Sequence, residues 1–205
     1  SIKLAFSFLP ELRMSLVSGV PKLVLLAEFA EDSDEIAIRE ANHARAALAD
    51  LPVATQIAVG TMEKKYWKIR RESFALLRKH MRGLHAAPFI DDIIVRPEFM
   101  PQFLPELQKI LTDYKLICTI AGHAGNGNFH IIPLMDLSKE ENRQVIFDLA
   151  PKVYGLVIKE GGTTTGEHND GIIRTPYLPQ LFGAEMVALF EATKKIFDPL
   201  DIFNP

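Results

Sequence analysis

Apolar and polar positions follow two different periods along this chain. Runs rich in apolar and β-branched residues at Lys22–Phe29, Pro52–Val59, Phe89–Val95, Leu116–Gly122 and Asn128–Leu134 predict strands. Between them, apolar residues recur at helical spacing. Ser33–Leu48 opens with Ser33 as N-cap and Asp34 and Glu35 in its first turn, and Ile36, Ala37, Ala41 and Ala44 form its apolar stripe. Thr61–Lys79 carries Tyr66, Ile69, Phe74 and Leu77, while Pro97–Asp113 carries Phe99, Phe103, Leu107 and Leu111 behind a proline that a first helical turn tolerates. Lys139–Glu160 ends at Gly161-Gly162, and Gly183–Phe197 ends at Asp198-Pro199.

The resulting order, β-α-β-α-β-α-β-β-α, mixes crossovers with one hairpin. Asn126-Gly127 between the fourth and fifth runs is a strong hairpin signal. The expectation is an α+β fold: a largely antiparallel sheet in a ferredoxin-like arrangement, covered by helices on one face. No long linker interrupts the pattern, so residues 1–205 read as one domain, with Glu160–Pro176 as an extended functional loop.

Composition narrows the class. Of 205 residues, 48% are hydrophobic and 24% charged, which suits a globular domain able to fold without disulfides or metal. The longest apolar runs, Leu23–Ala27 and Ile131–Met135, fall far short of the roughly 20 residues that cross a bilayer. The single cysteine, Cys118, rules out an internal disulfide and fits a reducing, cytoplasmic setting. A net charge of −3 argues against nucleic acid as a partner. The chain begins at Ser1 without an initiator Met and stops at Pro205 directly after a helical pattern, so the expectation is a piece of a longer protein.

Three clusters carry candidate chemistry. In His123-Ala-Gly-Asn-Gly-Asn-Phe-His130, a type I′ turn at Asn126-Gly127 sets His123 directly across from His130, with β-carbons about 4.5–5.5 Å apart, near enough to share one ion. Two ligands do not make a site, and the same histidines also read as polar ends of two strands. In Gly161-Gly-Thr-Thr-Thr-Gly-Glu-His-Asn-Asp-Gly171, Glu167 offers the carboxylate that completes a three-ligand site with an open position. An extended backbone there points His168 to the opposite side, free to handle a proton. A phosphate loop is disfavoured because no Lys-Ser/Thr follows the glycines. In Tyr66-Trp-Lys-Ile-Arg-Arg-Glu72, Arg70 suits bidentate capture of a carboxylate, although such a run also reads as a solvated helix face.

Taken in order, Trp67-Lys-Ile-Arg70, Phe89-Ile-Asp-Asp-Ile-Ile-Val95, His123 through His130, Gly166-Glu-His168 and the ending Phe197–Pro205 resemble one family. It is the C-terminal domain of FAD-linked oxidases and dehydrogenases of the vanillyl-alcohol oxidase superfamily, the group holding D-lactate dehydrogenase, the glycolate oxidase FAD subunit and D-2-hydroxyglutarate dehydrogenase. The resemblance implies that His123, His130 and Glu167 are metal ligands and that His168 lies beside flavin and substrate as a base. It further implies that Arg70 holds the substrate carboxylate and that Asn204 approaches the flavin ring. Two positions depart from the family pattern: Asn126 stands where Asp is usual, and Asn169 where Gly is usual.

On this reading the chain is the substrate-binding, or cap, domain of an FAD-dependent D-2-hydroxy-acid dehydrogenase or oxidase. The FAD-binding domain, absent here, is supplied in cis or trans. The implied cofactors are FAD, bound mainly by that domain, and a divalent metal, with Zn²⁺ favoured by two imidazoles and a carboxylate. Partners are then a small 2-hydroxy acid, a second copy in a homodimer and an electron-acceptor protein, with a cytoplasmic or peripheral inner-membrane location. Two other classes are compatible with the motifs: a stand-alone zinc hydrolase, and a non-catalytic α+β ligand-binding module.

Overall fold

The computed structural model describes residues 23–80 and 83–205, residues 73–80 by their backbone alone. Its contacts divide the chain into two compact units, Ser1–Glu72 and Ser73–Pro205. Among the described residues no helix is long and apolar enough to cross a membrane.

In the first unit, α1 (Asp34–Ala47) starts where its cap chemistry dictates. The Ser33 hydroxyl accepts from the Ile36 N–H at 3.3 Å, and Asp34 and Glu35 face the positive end of the helix. Helix α2 (Thr61–His80) starts in this unit and runs past its boundary at Glu72; it carries Tyr66, whose hydroxyl donates to Gln56 Oε1 at 3.1 Å. The strands expected over Lys22–Phe29 and Pro52–Val59 are a correction. Lys22 lies outside the described residues, and residues 23–29 and 52–59 form no ladder with any described residue. Apolar, β-branched composition favours an extended chain, but a strand exists only where another backbone takes up its N–H and C=O groups.

The second unit is α+β, with an open, wholly antiparallel sheet. Its centre is β4 (Asn128–Met135). Strand β3 (Ile117–His123) pairs along one edge of β4, while β1 (His85–Ala86) and β2 (Ile93–Ile94) share the other. Phe129, Ile131 and Met135 point to one face of β4 and join one buried cluster with Phe103, Leu107 and Leu111 of α3 (Met100–Asp113) and Leu149, Val153 and Val157 of α4 (Glu140–Lys159). The alternate residues Asn128, His130, Ile132 and Leu134 point to the other face, away from that cluster. The end of α4 follows its glycines: Gly161, at φ 68°, donates to Ile158 O, and Gly162 donates to Val157 O, which closes the last turn. Two short helices, α5 (Gly171–Arg174) and α6 (Leu178–Phe182), and the 14-residue α7 (Ala184–Phe197) follow.

Two departures from the sequence pattern shape the site. First, Phe89–Val95 is not one continuous strand. Ala86 pairs with Leu134 and Ile93 with Phe129, so six residues (87–92) lie opposite four (130–133). The two extra residues bulge out of the edge, and Asp92 within the bulge adopts φ 64°. The bulge is pinned from beneath by buried Tyr154, whose hydroxyl donates to Phe89 O at 2.9 Å; burial pushes that phenol up to about 12, so it stays a donor. Second, the hairpin is not the two-residue turn expected. Residues 124–126 form a 3₁₀ turn closed by Gly127 at φ 70°, and Asn126 keeps a negative φ, which a type I′ turn forbids. Gly127 is required there, because a β-carbon would lie 1.8 Å from Val95 O.

Candidate functional site

The changed turn moves the hairpin register by two residues. His123 pairs with Asn128 and His130 with Ala121, so the two histidines are diagonal rather than directly opposed. A shift of two preserves the face, so both rings still emerge on the side away from the helices. Their centroids are 6.0 Å apart in an edge-to-face arrangement.

The third wall is residues 163–168, held by a carboxylate that periodicity alone gives no reason to single out. Asp92 is fully buried. Its Oδ2 accepts from the Thr165 hydroxyl (2.8 Å) and from the N–H groups of Gly166 (2.8 Å), Glu167 (3.0 Å) and His168 (2.9 Å). Its Oδ1 accepts from Asn128 Nδ2 at 3.0 Å. Burial opposes the charge, but the N–H of His168, the Thr165 hydroxyl and the N–H groups of Gly166 and Glu167 outweigh it. Together they hold the carboxyl well below the usual carboxylate range. Because three successive N–H groups wrap around one carboxylate, the segment is curved, and the expected opposite placement of His168 is corrected. Glu167 and His168 both turn to the histidine face. Gly166 makes the curve possible, since a β-carbon there would lie 2.7 Å from Asn128 Nδ2 and 2.8 Å from Ile94.

Glu167 sits among the imidazoles. Its Oε1 is 3.0 Å from His130 Nε2 and 3.4 Å from His168 Nε2, and its Oε2 is 3.8 Å from His123 Nε2. The rings of His130 and His168 stack at 5.0 Å. Neighbouring ligand atoms of a tetrahedral ion held at about 2.0–2.2 Å stand roughly 3.3–3.6 Å apart, and the three separations lie around that spacing. One ligand atom from each of Asp92, His130, Glu167 and His168 also falls within 4.8 Å of the others. Asp92 is nonetheless a poor ligand, because both its oxygens are taken by protein donors. The available donors are the imidazoles and Glu167.

Behind the rings lies the neighbouring carboxylate, Asp91, only 8% exposed at its side chain, 3.0 Å from His130 Nδ1 and 3.5 Å from His168 Nδ1. Its backbone is tied down by buried Arg174, which donates to Asp91 O (2.9 Å) and to Asn169 O (2.7 Å) and so joins the bulge to the loop. Spacing did not single out Asp91, Asp92 or Arg174. The signal was two adjacent aspartates inside an otherwise apolar run, since a carboxylate carried into a core must be met by donors.

Of the residues expected at the site, the structure thus brings together His123, His130, Glu167 and His168. Arg70 lies exposed on α2 in the other compact unit, and Asn204 is exposed in the segment after α7.

Comparison with known proteins gives the arrangement a lineage. Residues 9–205 match the family described as FAD linked oxidases, C-terminal domain. A mitochondrial D-lactate dehydrogenase [cytochrome] of Arabidopsis thaliana is 34% identical over 143 residues, covering 70% of this chain and 25% of that protein. A D-2-hydroxyglutarate dehydrogenase of Escherichia coli K12 is 27% identical over 202 residues, covering 93% of this chain and 20% of that protein. Glycolate oxidase subunit GlcD of Bacillus subtilis is 30% identical over 141 residues, covering 65% and 30%. The chain therefore spans about a quarter of the length of these relatives. With nearly its whole length matched, it belongs to the FAD-linked oxidase C-terminal domain family.

Proposed function

We propose that the chain is the substrate-binding, or cap, domain of an FAD-dependent D-2-hydroxy-acid dehydrogenase or oxidase, with His123, His130 and Glu167 holding a divalent cation. The observation that carries this reading is the meeting of His130 Nε2 and Glu167 Oε1 at 3.0 Å, flanked by two further imidazoles on one sheet face. Two imidazoles and a carboxylate suit Zn²⁺. The cation would supply Lewis acidity toward a 2-hydroxyl, and FAD, on its own domain, would supply hydride-accepting chemistry.

The chain's own residues do the positioning. His168, whose ring is about half exposed and whose Nε2 lies 3.4 Å from Glu167 Oε1, accepts the hydroxyl proton at the edge of the cluster. Arg70 receives the substrate carboxylate through paired N–H···O bonds. His168 and Asn204, both open to solvent, face the flavin once the FAD-binding domain is in place. That domain, in cis or trans, covers the apolar surface of α7 and the segment after it, where Leu189 is 60%, Phe197 81% and Phe203 69% exposed. A second copy of the chain and an electron-acceptor protein are further partners of the whole enzyme.

Elemental analysis after Zn²⁺ loading and desalting tests the reading. Wild type and Lys64→Ala each retain about one metal per chain, and His130→Ala retains none, because a site that keeps two of its three ligands is no longer a closed set. Equal metal in wild type and His130→Ala refutes the site. With metal bound, a 2-hydroxy acid at about 100 times its Kd stabilises the chain by about 2.7 kcal/mol, read as a rise in melting temperature.

A further inference from the structure

Asp91 has no place in the proposed chemistry, yet it touches two of its residues. Its Oδ1 lies 3.0 Å from His130 Nδ1 and its Oδ2 lies 3.5 Å from His168 Nδ1. At the far edge of the same two rings, His130 Nε2 and His168 Nε2 both lie within 3.4 Å of one oxygen of Glu167. One nearly buried carboxylate therefore stands behind a pair of stacked imidazoles, and one half-exposed carboxylate stands in front of them.

Resting on the metal reading above, we infer that Asp91 is a positioning residue that sets the tautomer of both rings. Its Oδ1 accepts the Nδ1–H of His130 at 3.0 Å and its Oδ2 faces His168 Nδ1 at 3.5 Å, so each ring turns an Nε2 lone pair toward the Glu167 side. A neutral imidazole carries one proton, and the nitrogen that donates is fixed by the acceptor it meets. Asp91 is the stronger determinant because its side chain is 8% exposed, whereas that of Glu167 is 48% exposed and shares its demand with water. The bulge makes the placement possible. Its two extra residues let Asp91 reach under the rings while Asp92 turns to the loop, and Arg174 fixes the Asp91 carbonyl from the other side. The link also couples roles: one acceptor presents a cation ligand on His130 and a proton-accepting nitrogen on His168.

The isosteric variant Asp91→Asn isolates this role. It keeps the volume and the backbone carbonyl that Arg174 holds, but it replaces one acceptor oxygen by an NH₂ donor. The ring facing that donor must leave Nδ1 unprotonated and carry its proton on Nε2. The measurement is two-bond ¹H–¹⁵N correlation of histidine-labelled chain, metal-free, at a pH about 2 units above the ordinary histidine pKa of roughly 6.5. It is paired with Zn²⁺ titration against a chromophoric chelator. Wild type is expected to show both rings as the Nδ1–H tautomer. Asp91→Asn is expected to convert at least one ring to Nε2–H and to weaken Zn²⁺ binding about 10–100-fold, the usual loss for a residue that orients a metal ligand. A role confined to packing would lower the melting temperature and leave the tautomers unchanged. Identical tautomers in the two proteins overturn the inference, whatever the stability. Should the tautomers respond while wild type takes up no Zn²⁺, the positioning role stands and the metal reading fails.

Discussion

Replacing Asp92 by Asn should cost more stability than its small change in shape implies. Four donors converge on Oδ2: the Thr165 hydroxyl and the N–H groups of Gly166, Glu167 and His168. Asn fits the volume and tolerates the left-handed φ of 64° better than Ala would. A flip of the Asn128 amide lets its unpartnered Oδ1 accept from the new NH₂, and the Glu167 N–H, which also lies 3.2 Å from Oδ1, keeps its 3.0 Å acceptor at Oδ2. What remains is the loss of charge. Hydrogen bonds to a charged acceptor contribute about 1.5–3 kcal/mol each and neutral ones about 0.5–1.5. Four such bonds, each weakened by about 1 kcal/mol and not fully additive, give a loss of about 3–4 kcal/mol. That is a large share of the roughly 5–15 kcal/mol that holds a domain folded. Urea unfolding should show a lower midpoint at unchanged slope, and hydrogen exchange should show the amides of Gly166, Glu167 and His168 opening more readily by a similar free energy. A loss below about 1 kcal/mol, with those amides as protected as in wild type, refutes the claim that this carboxylate builds the loop.

Other predictions follow from the same contacts. Asp92 is held well below the ordinary carboxylate range, and Asp198 is brought down to about 2 by Lys194 and the Ile202 N–H against the cost of burial, with the Phe203 N–H adding to the effect. Carboxyls depressed in the folded state stabilise it above their unfolded value of about 3.9 and lose that contribution as they protonate. The melting temperature should therefore fall from about pH 5 toward pH 2, and less steeply in Asp92→Asn; a flat profile contradicts the assignment. His168→Ala should keep the metal that His130→Ala loses, so elemental analysis separates a base from a ligand; metal lost in both variants makes His168 a ligand. Gly127→Ala puts a β-carbon 1.8 Å from Val95 O at φ 70°, so the hairpin must shift; a loss of about 2–4 kcal/mol in chemical denaturation is expected, and an unchanged midpoint contradicts the close approach.

The helices were legible because their signals are local. The Ser33 cap and the Gly161-Gly162 stop act on backbone groups within a turn, and both operate where the sequence places them. The β-hairpin was legible in place and in face but not in register, because the choice of turn is settled by Gly127 pressing against Val95, a contact distant in sequence. Segments 23–29 and 52–59 have the composition of strands, but pairing is a property of two segments, and composition describes only one. The histidines and Glu167 could be found from their residue types and the turn between them. Asp91 and Asp92 could not be assigned roles, because a strand pattern puts neighbours on opposite faces, and only the two-residue bulge turns one to the rings and the other to the loop. The side of the loop to which His168 turns departs from an extended pattern for a related reason: three successive N–H groups curl around one carboxylate.

Anomalous diffraction from a crystal of the Zn²⁺-loaded chain, recorded on both sides of the zinc absorption edge, tests the central claim most directly. The account predicts one peak on the sheet face away from the helices, about 2.0–2.2 Å from His130 Nε2 and a Glu167 oxygen, with His123 Nε2 as third ligand. A peak elsewhere on the chain, or none at these side chains with the metal present, contradicts it.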